Sequence, residues 1–95
     1  MADTRPDIKL EGGVYIDLYA ALNAQTGYPA VTVGTQIRLQ NKSGSVIDLI
    51  AKADQPDSDD GSVIIEPYKQ ATNQAGDSGA WAYSNNTATI NITVV

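Results

Sequence analysis

Gly76-Asp77-Ser78-Gly79 spells the string found around the nucleophile of trypsin-like serine proteases. A serine so placed attacks a carbonyl only when a general base stands within hydrogen-bond reach. The chain contains no histidine, and 95 residues are too few for a two-barrel protease. The string therefore reads as a turn in which glycine supplies a positive φ and Asp77 caps the backbone. Cysteine is absent too, and no recognisable motif places a pair of carboxylates for acid–base work. We expect no enzyme.

A second cluster could hold a hard cation. Asp54, Asp57, Asp59 and Asp60 crowd the segment ADQPDSDDGS, and Ca²⁺ takes carboxylate and carbonyl oxygens from such loops. Asp57, Asp59 and Asp60 are the candidate ligands. DSDDG resembles the opening of an EF-hand loop, but its glycine comes one place early, Glu66 falls two short of the bidentate position, and no helices flank it. The expectation is a solvated turn and no cofactor, with calcium as the alternative.

Rings form the third set. The aromatic residues are five Tyr and one Trp with no Phe, so every ring carries a polar handle suited to a wet boundary. In GAWAYS, Trp81 and Tyr83 share one side and Ala80 and Ala82 the other. Tyr68, Trp81 and Tyr83 could stack on a sugar, whereas the expectation for a lone Trp in a small domain is that it anchors the core. Tyr15 and Tyr19, with Asp17 between them, point away from Val14, Ile16 and Leu18. Two rings facing away from one core imply a second buried surface, most simply a contact between subunits. Tyr28 joins Tyr15, Asp17 and Tyr19 as an interface candidate.

The elements that must position these groups are short strands. Ile37, Leu39 and Asn41 alternate with Gln36, Arg38 and Gln40, reach a Lys-Ser-Gly-Ser turn, and are answered by VIDLIAK, which predicts a central β-hairpin. Val14–Tyr19 reads as a half-buried strand, and residues 19–25 as a possible single helical turn ended at Gly27. Val63–Ile65 is a short strand stopped by Pro67, and Lys69–Ser78 a long loop. ATINITVV has the cleanest alternation, with Ala88, Ile90, Ile92 and Val94 inward, and is expected to pair with GAWAYS across Asn85-Asn86. Residues 1–7 read as a flexible arm or a peptide ordered on a neighbour, and residues 8–95 as one β-domain. Together this predicts an all-β fold: a small antiparallel sandwich or barrel of about six or seven strands.

Composition bounds the partners. Eleven acidic against six scattered basic residues give a formal charge of −5, which repels phosphate backbones and argues against nucleic acid. No apolar run approaches the ~18 residues of a membrane span, so no membrane partner is expected. Without cysteine, stability must come from packing or from assembly with other chains.

VGTQIRLQNKSGSVIDL, a polar Asp/Gly loop, a short strand ending in Pro-Tyr, and GDSGAWAYS before a terminal alternating strand together resemble small structural proteins of tailed bacteriophages and prophages. The resemblance covers Val33–Val95, with Gly34, Thr35, Gln40, Asn41, Lys42, Ser43, Trp81 and Ala82 as fixed points. It implies a non-enzymatic virion protein made in the bacterial cytoplasm. Such a protein would serve in capsid decoration, at the head–tail junction or in tail or fibre attachment. Its partners would be further copies of itself, as a homo-oligomer, or other virion proteins. The alternative is a carbohydrate- or receptor-binding module built on Trp81, Tyr83 and the Asp54–Asp60 loop.

Overall fold

The structure, a computed structural model, describes residues 3–56 and 63–95. The elements in chain order are β1 (Asp3–Thr4), β2 (Ile8–Leu10), β3 (Ile16–Asp17), α1 (Leu18–Asn23), β4 (Ile37–Asn41), β5 (Ile47–Ile50), β6 (Val63–Ile65), β7 (Gln70–Thr72), β8 (Trp81–Tyr83) and β9 (Ala88–Val94). They form two antiparallel sheets, as expected of a small all-β sandwich. One has the order β1-β9-β4-β7 with β2 also on β9, and the other β3-β8-β5-β6.

The central hairpin does not form. β4 pairs with β9 and β7, while β5 pairs with β8 and β6 in the opposite sheet. The expected closing hairpin fails in the same way, since β8 lies in one sheet and β9 in the other. Both linkers are crossings between layers. Asn41 organises the first: it is fully buried, its Oδ1 accepts from Ser43 N (3.0 Å) and Ser43 Oγ (2.8 Å), and its Nδ2 donates to Ser45 O (2.6 Å) and Ile65 O (3.2 Å). One side chain on β4 thus satisfies the linker's backbone and holds the end of β6 in the other sheet. An amide that meets buried backbone groups in this way contributes about 1 kcal/mol per bond.

Between the sheets lie Leu10, Ile37, Leu39, Ile90 and Ile92 from one side and Ile47, Leu49, Ile65, Ala80 and Ala82 from the other. Leu18, Tyr19 and Leu22 from α1 join the same core. Burial of each full-sized aliphatic side chain stabilises the fold by about 1.5–3 kcal/mol. β3 is shorter than the predicted Val14–Tyr19 strand because Asp17 caps a helix: its Oδ1 accepts Ala20 N at 3.2 Å. The predicted helical turn is present as α1, starting one residue early. Within the expected loop at 69–78, Gln70–Thr72 form an edge strand on β4.

The segment read as a flexible arm is tied down from residue 3. β1 and β2 run along one side of β9, with registers Thr4↔Thr93 and Ile8↔Ile90. Three residues therefore oppose two, a bulge centred on Arg5-Pro6-Asp7. The bulge turns Arg5 inward to 3% exposure, where its guanidinium donates to Leu22 O and Pro29 O and lies 5.2 Å from the Tyr28 ring centroid. Asn91 Nδ2 donates to Arg5 O at 2.7 Å and closes the bulge from the outside.

Candidate interaction surface

Antiparallel partners point their side chains to the same side of a sheet, so register alone sorts the β3-β8-β5-β6 sheet into two faces. Ile16, Ala82 and Leu49 form a row turned inward. Asp48 is opposite both Ile64 and Tyr83, and Asp17 and Ile50 are both opposite Trp81, so these residues point outward. Tyr15 extends the Ile64–Asp48–Tyr83 row onto the edge strand: its ring centroid lies 4.6 Å from that of Tyr83, with the planes at 35°. At about 4.8 Å per strand the row crosses roughly 14 Å of surface.

Trp81 therefore does not anchor the core. Its neighbours Ala80 and Ala82 take the inward positions, and Trp81 and Tyr83 are left half-buried on the outside. The indole is fixed by its Nε1, which donates to Lys52 O at 3.0 Å. Gly79 lets the chain approach that same carbonyl, because a Cβ at this position would collide with Lys52 O. Ile50, beside Trp81 on the outward side, is 4% exposed yet stands outside the main core cluster. Ile64, at 55%, and Val46, at 48%, extend the apolar character toward the β6 edge.

No family model, curated protein or solved structure matches this chain.

Only part of the predicted site comes together. Tyr15, Asp17, Trp81 and Tyr83 share the outward face. Tyr19 does not: it is 2% exposed, its hydroxyl donates to Thr35 O at 2.6 Å and accepts from Asn73 Nδ2 at 2.9 Å, and it belongs to the core. The helix beginning at Leu18 replaces an alternation of 180° per residue with one near 100°, which swings Tyr19 inward. Tyr28 sits under Arg5 in the loop after α1, separate from the Tyr15 row. Tyr68 occupies the turn after β6 with a positive φ of 62° and is 71% exposed, while the ring that meets Tyr83 is Tyr15.

The calcium candidates Asp57, Asp59 and Asp60 lie outside the described residues. Among the described residues no group of three or more acidic, His or Cys side chains is gathered that could hold a metal ion, and no pocket is found. Among the described residues no helix is long and apolar enough to cross a membrane. Gly76–Gly79 forms a turn: Gly76 has φ of 90°, and Asp77 Oδ2 accepts Gln74 N at 3.1 Å. Sequence reasoning missed Ile50, Ile64 and Asp48 as members of the face. The signal was present in VIDLI and VII, where alternate positions stay apolar on both sides of the strand.

Proposed function

We propose that this chain is a non-enzymatic structural protein of a tailed-bacteriophage or prophage virion. It works by docking through the outward face of the β3-β8-β5-β6 sheet. The observation that carries the docking part is the placement of Tyr15, Trp81 and Tyr83 outside while alanines fill the core beneath them. Amphipathic Tyr and Trp rings on an outward face are the residue types enriched at protein interfaces, and the exposed Ile64 and Val46 adjoin them. The resemblance of Val33–Val95 to phage structural proteins supplies the virion context. The test is to band particles released by the source cells on a density gradient and quantify the chain by mass spectrometry. Banding with the capsid proteins at a fixed ratio supports the reading. A chain that stays wholly in the unbanded fraction refutes it.

A second reading draws on the same face. Trp81 and Tyr83 together present a stacking platform of the kind sugars occupy, with Tyr15 in the place expected of Tyr68. Titration with oligosaccharides, followed by Trp81 emission, separates the two: a saturable shift supports a glycan-binding module.

A further inference from the structure

We propose that the occupant of the aromatic face is the opposite face of a second copy, so that copies of this chain stack head to tail. The inference rests on the assembly reading above and names its partner. The two outward faces of the molecule differ in kind. On the β9-β4-β7 side, register places Arg38 beside Thr72 and Thr93, Gln40 beside Gln70 and Asn91, and Lys9 beside Thr89. The Lys42–Asp7 ion pair, tied to Asn91 through Asp7, lies on the same side, so this surface is rich in neutral hydrogen-bonding groups and carries its unbalanced charge as Lys9 and Arg38. The other face carries Asp17, which also caps α1, Asp48 and, two residues beyond Ile64, the exposed Glu66, around the Tyr15, Tyr83 and Trp81 rings, against one exposed cation, Lys52, two residues beyond Ile50.

Of the three ways to stack these faces, only the unlike pairing matches charge to charge. Aromatic face on aromatic face would gather two sets of Asp17, Asp48 and Glu66 into one interface in a chain of net charge −5. Polar face on polar face would gather two sets of Lys9 and Arg38 and bury none of the rings. The unlike pairing sets Lys9 and Arg38 against Asp17 and Asp48 and lays a guanidinium over tyrosine or indole, a favourable cation–π geometry. Strand and residue spacings put Lys9 and Arg38 roughly 16 Å apart and Asp17 and Asp48 roughly 12 Å apart, a difference that long flexible cationic side chains span.

A contact covering the molecule's largest cross-section, 30 × 24 Å, would bury about 700 Å² per copy, just under the ~800 Å² of a standard specific interface. A head-to-tail contact leaves one free face at each end, so it either closes into a ring or continues as a filament.

The test uses the full chain with one face blocked at a time. Lys9→Glu/Arg38→Glu blocks the polar face, and Tyr15→Ser/Tyr83→Ser blocks the aromatic face. Ile64→Lys, at an exposed edge position, is a second block of the aromatic face. Melting curves first establish that each variant is folded, and light scattering then gives masses over a range of concentrations. The wild type is expected to grow with concentration and to weaken by at least about tenfold in 0.5 M salt. Each variant alone is expected to remain monomeric, and an equimolar mixture of the two kinds to give a dimer and nothing larger. Failure of folded variants to rescue one another overturns the inference. So does self-association of K9E/R38E at the wild-type level, which would mean like-face pairing and leave docking through the aromatic face standing. A wild type that is monomeric throughout also overturns it, and the particle experiment then decides separately whether the virion reading survives.

Discussion

Tyr19→Phe deletes one oxygen from the middle of the molecule, and its cost can be worked from the contacts. The hydroxyl donates to Thr35 O and accepts from Asn73 Nδ2, while Asn73 Oδ1 accepts Ile37 N at 2.7 Å. The oxygen thus links α1 to the start of β4 through a buried asparagine. Each lost bond removes about 1 kcal/mol, and the stranded Asn73 amide adds a desolvation penalty of similar size, giving about 2–3 kcal/mol in all. A domain of this length has a total stability of about 5–14 kcal/mol, so the loss is a large fraction of it. The melting temperature should fall by about 10–20 °C. Guanidinium unfolding followed by Trp81 emission measures the change directly, with the slope m unaltered. Tyr68→Phe, at a 71% exposed position, is the reference and should stay within about 0.5 kcal/mol of wild type. A Tyr19→Phe midpoint indistinguishable from that reference would refute the network argument and return Tyr19 to the surface where its sequence pattern put it.

Three further outcomes are expected. Gly79→Ala drives a methyl into the carbonyl of Lys52, which also fixes Trp81; it should cost about 3 kcal/mol and shift the Trp emission, read in one denaturation series. Asp7 accepts from Lys42 Nζ at 2.9 Å and from Asn91 Nδ2 at 3.0 Å, bonds that hold its carboxyl below the usual 3.8. A lowered folded value makes the contribution present above the unfolded pKa and lost as pH falls through the folded one; the urea midpoint of wild type should therefore exceed that of Asp7→Asn at pH 7, the gap closing below about pH 4. Arg5→Lys loses the planar fork to Leu22 O and Pro29 O, so hydrogen exchange should quicken at Thr4 and Ile8 while Ile90 and Ile92 stay protected.

The fold class was legible because alternation reports which side of a strand is buried. Ile37/Leu39 and Ile90/Ile92 fall on the apolar side of their alternations and lie in the core. Strand partners were not legible. In a sandwich both sheets turn apolar residues to one shared core, so a strand, a short polar linker and a second strand look the same whether the linker is a hairpin or a crossing. Five residues from Lys42 to Val46 easily span the ~10 Å between layers. The crossing is held by the buried amide of Asn41, a tertiary contact that alternation does not encode. The split of GAWAYS into ring and alanine faces was legible; that the alanines face inward was not, because hydrophobicity alone favours burying the Trp. Tyr15 kept its predicted side because it precedes the helix, and Tyr19 lost it because it lies within.

The two crossings also bear on how the chain reaches this state. Among the described pairings only β5 with β6 joins consecutive strands. Strands β1 and β2 must wait for β9, β3 for β8, and β4 for β7 or β9. Beyond the β5–β6 pair the sheets do not grow from local hairpins, since loops of tens of residues have to close before the next ladder repays the lost chain entropy. Folding should be collective and slow for this size, in the millisecond-to-second range of non-local β proteins. During that interval the rings of the outward face and the open edge at β6 are exposed together, so a freshly made chain meets other copies while it is still incomplete.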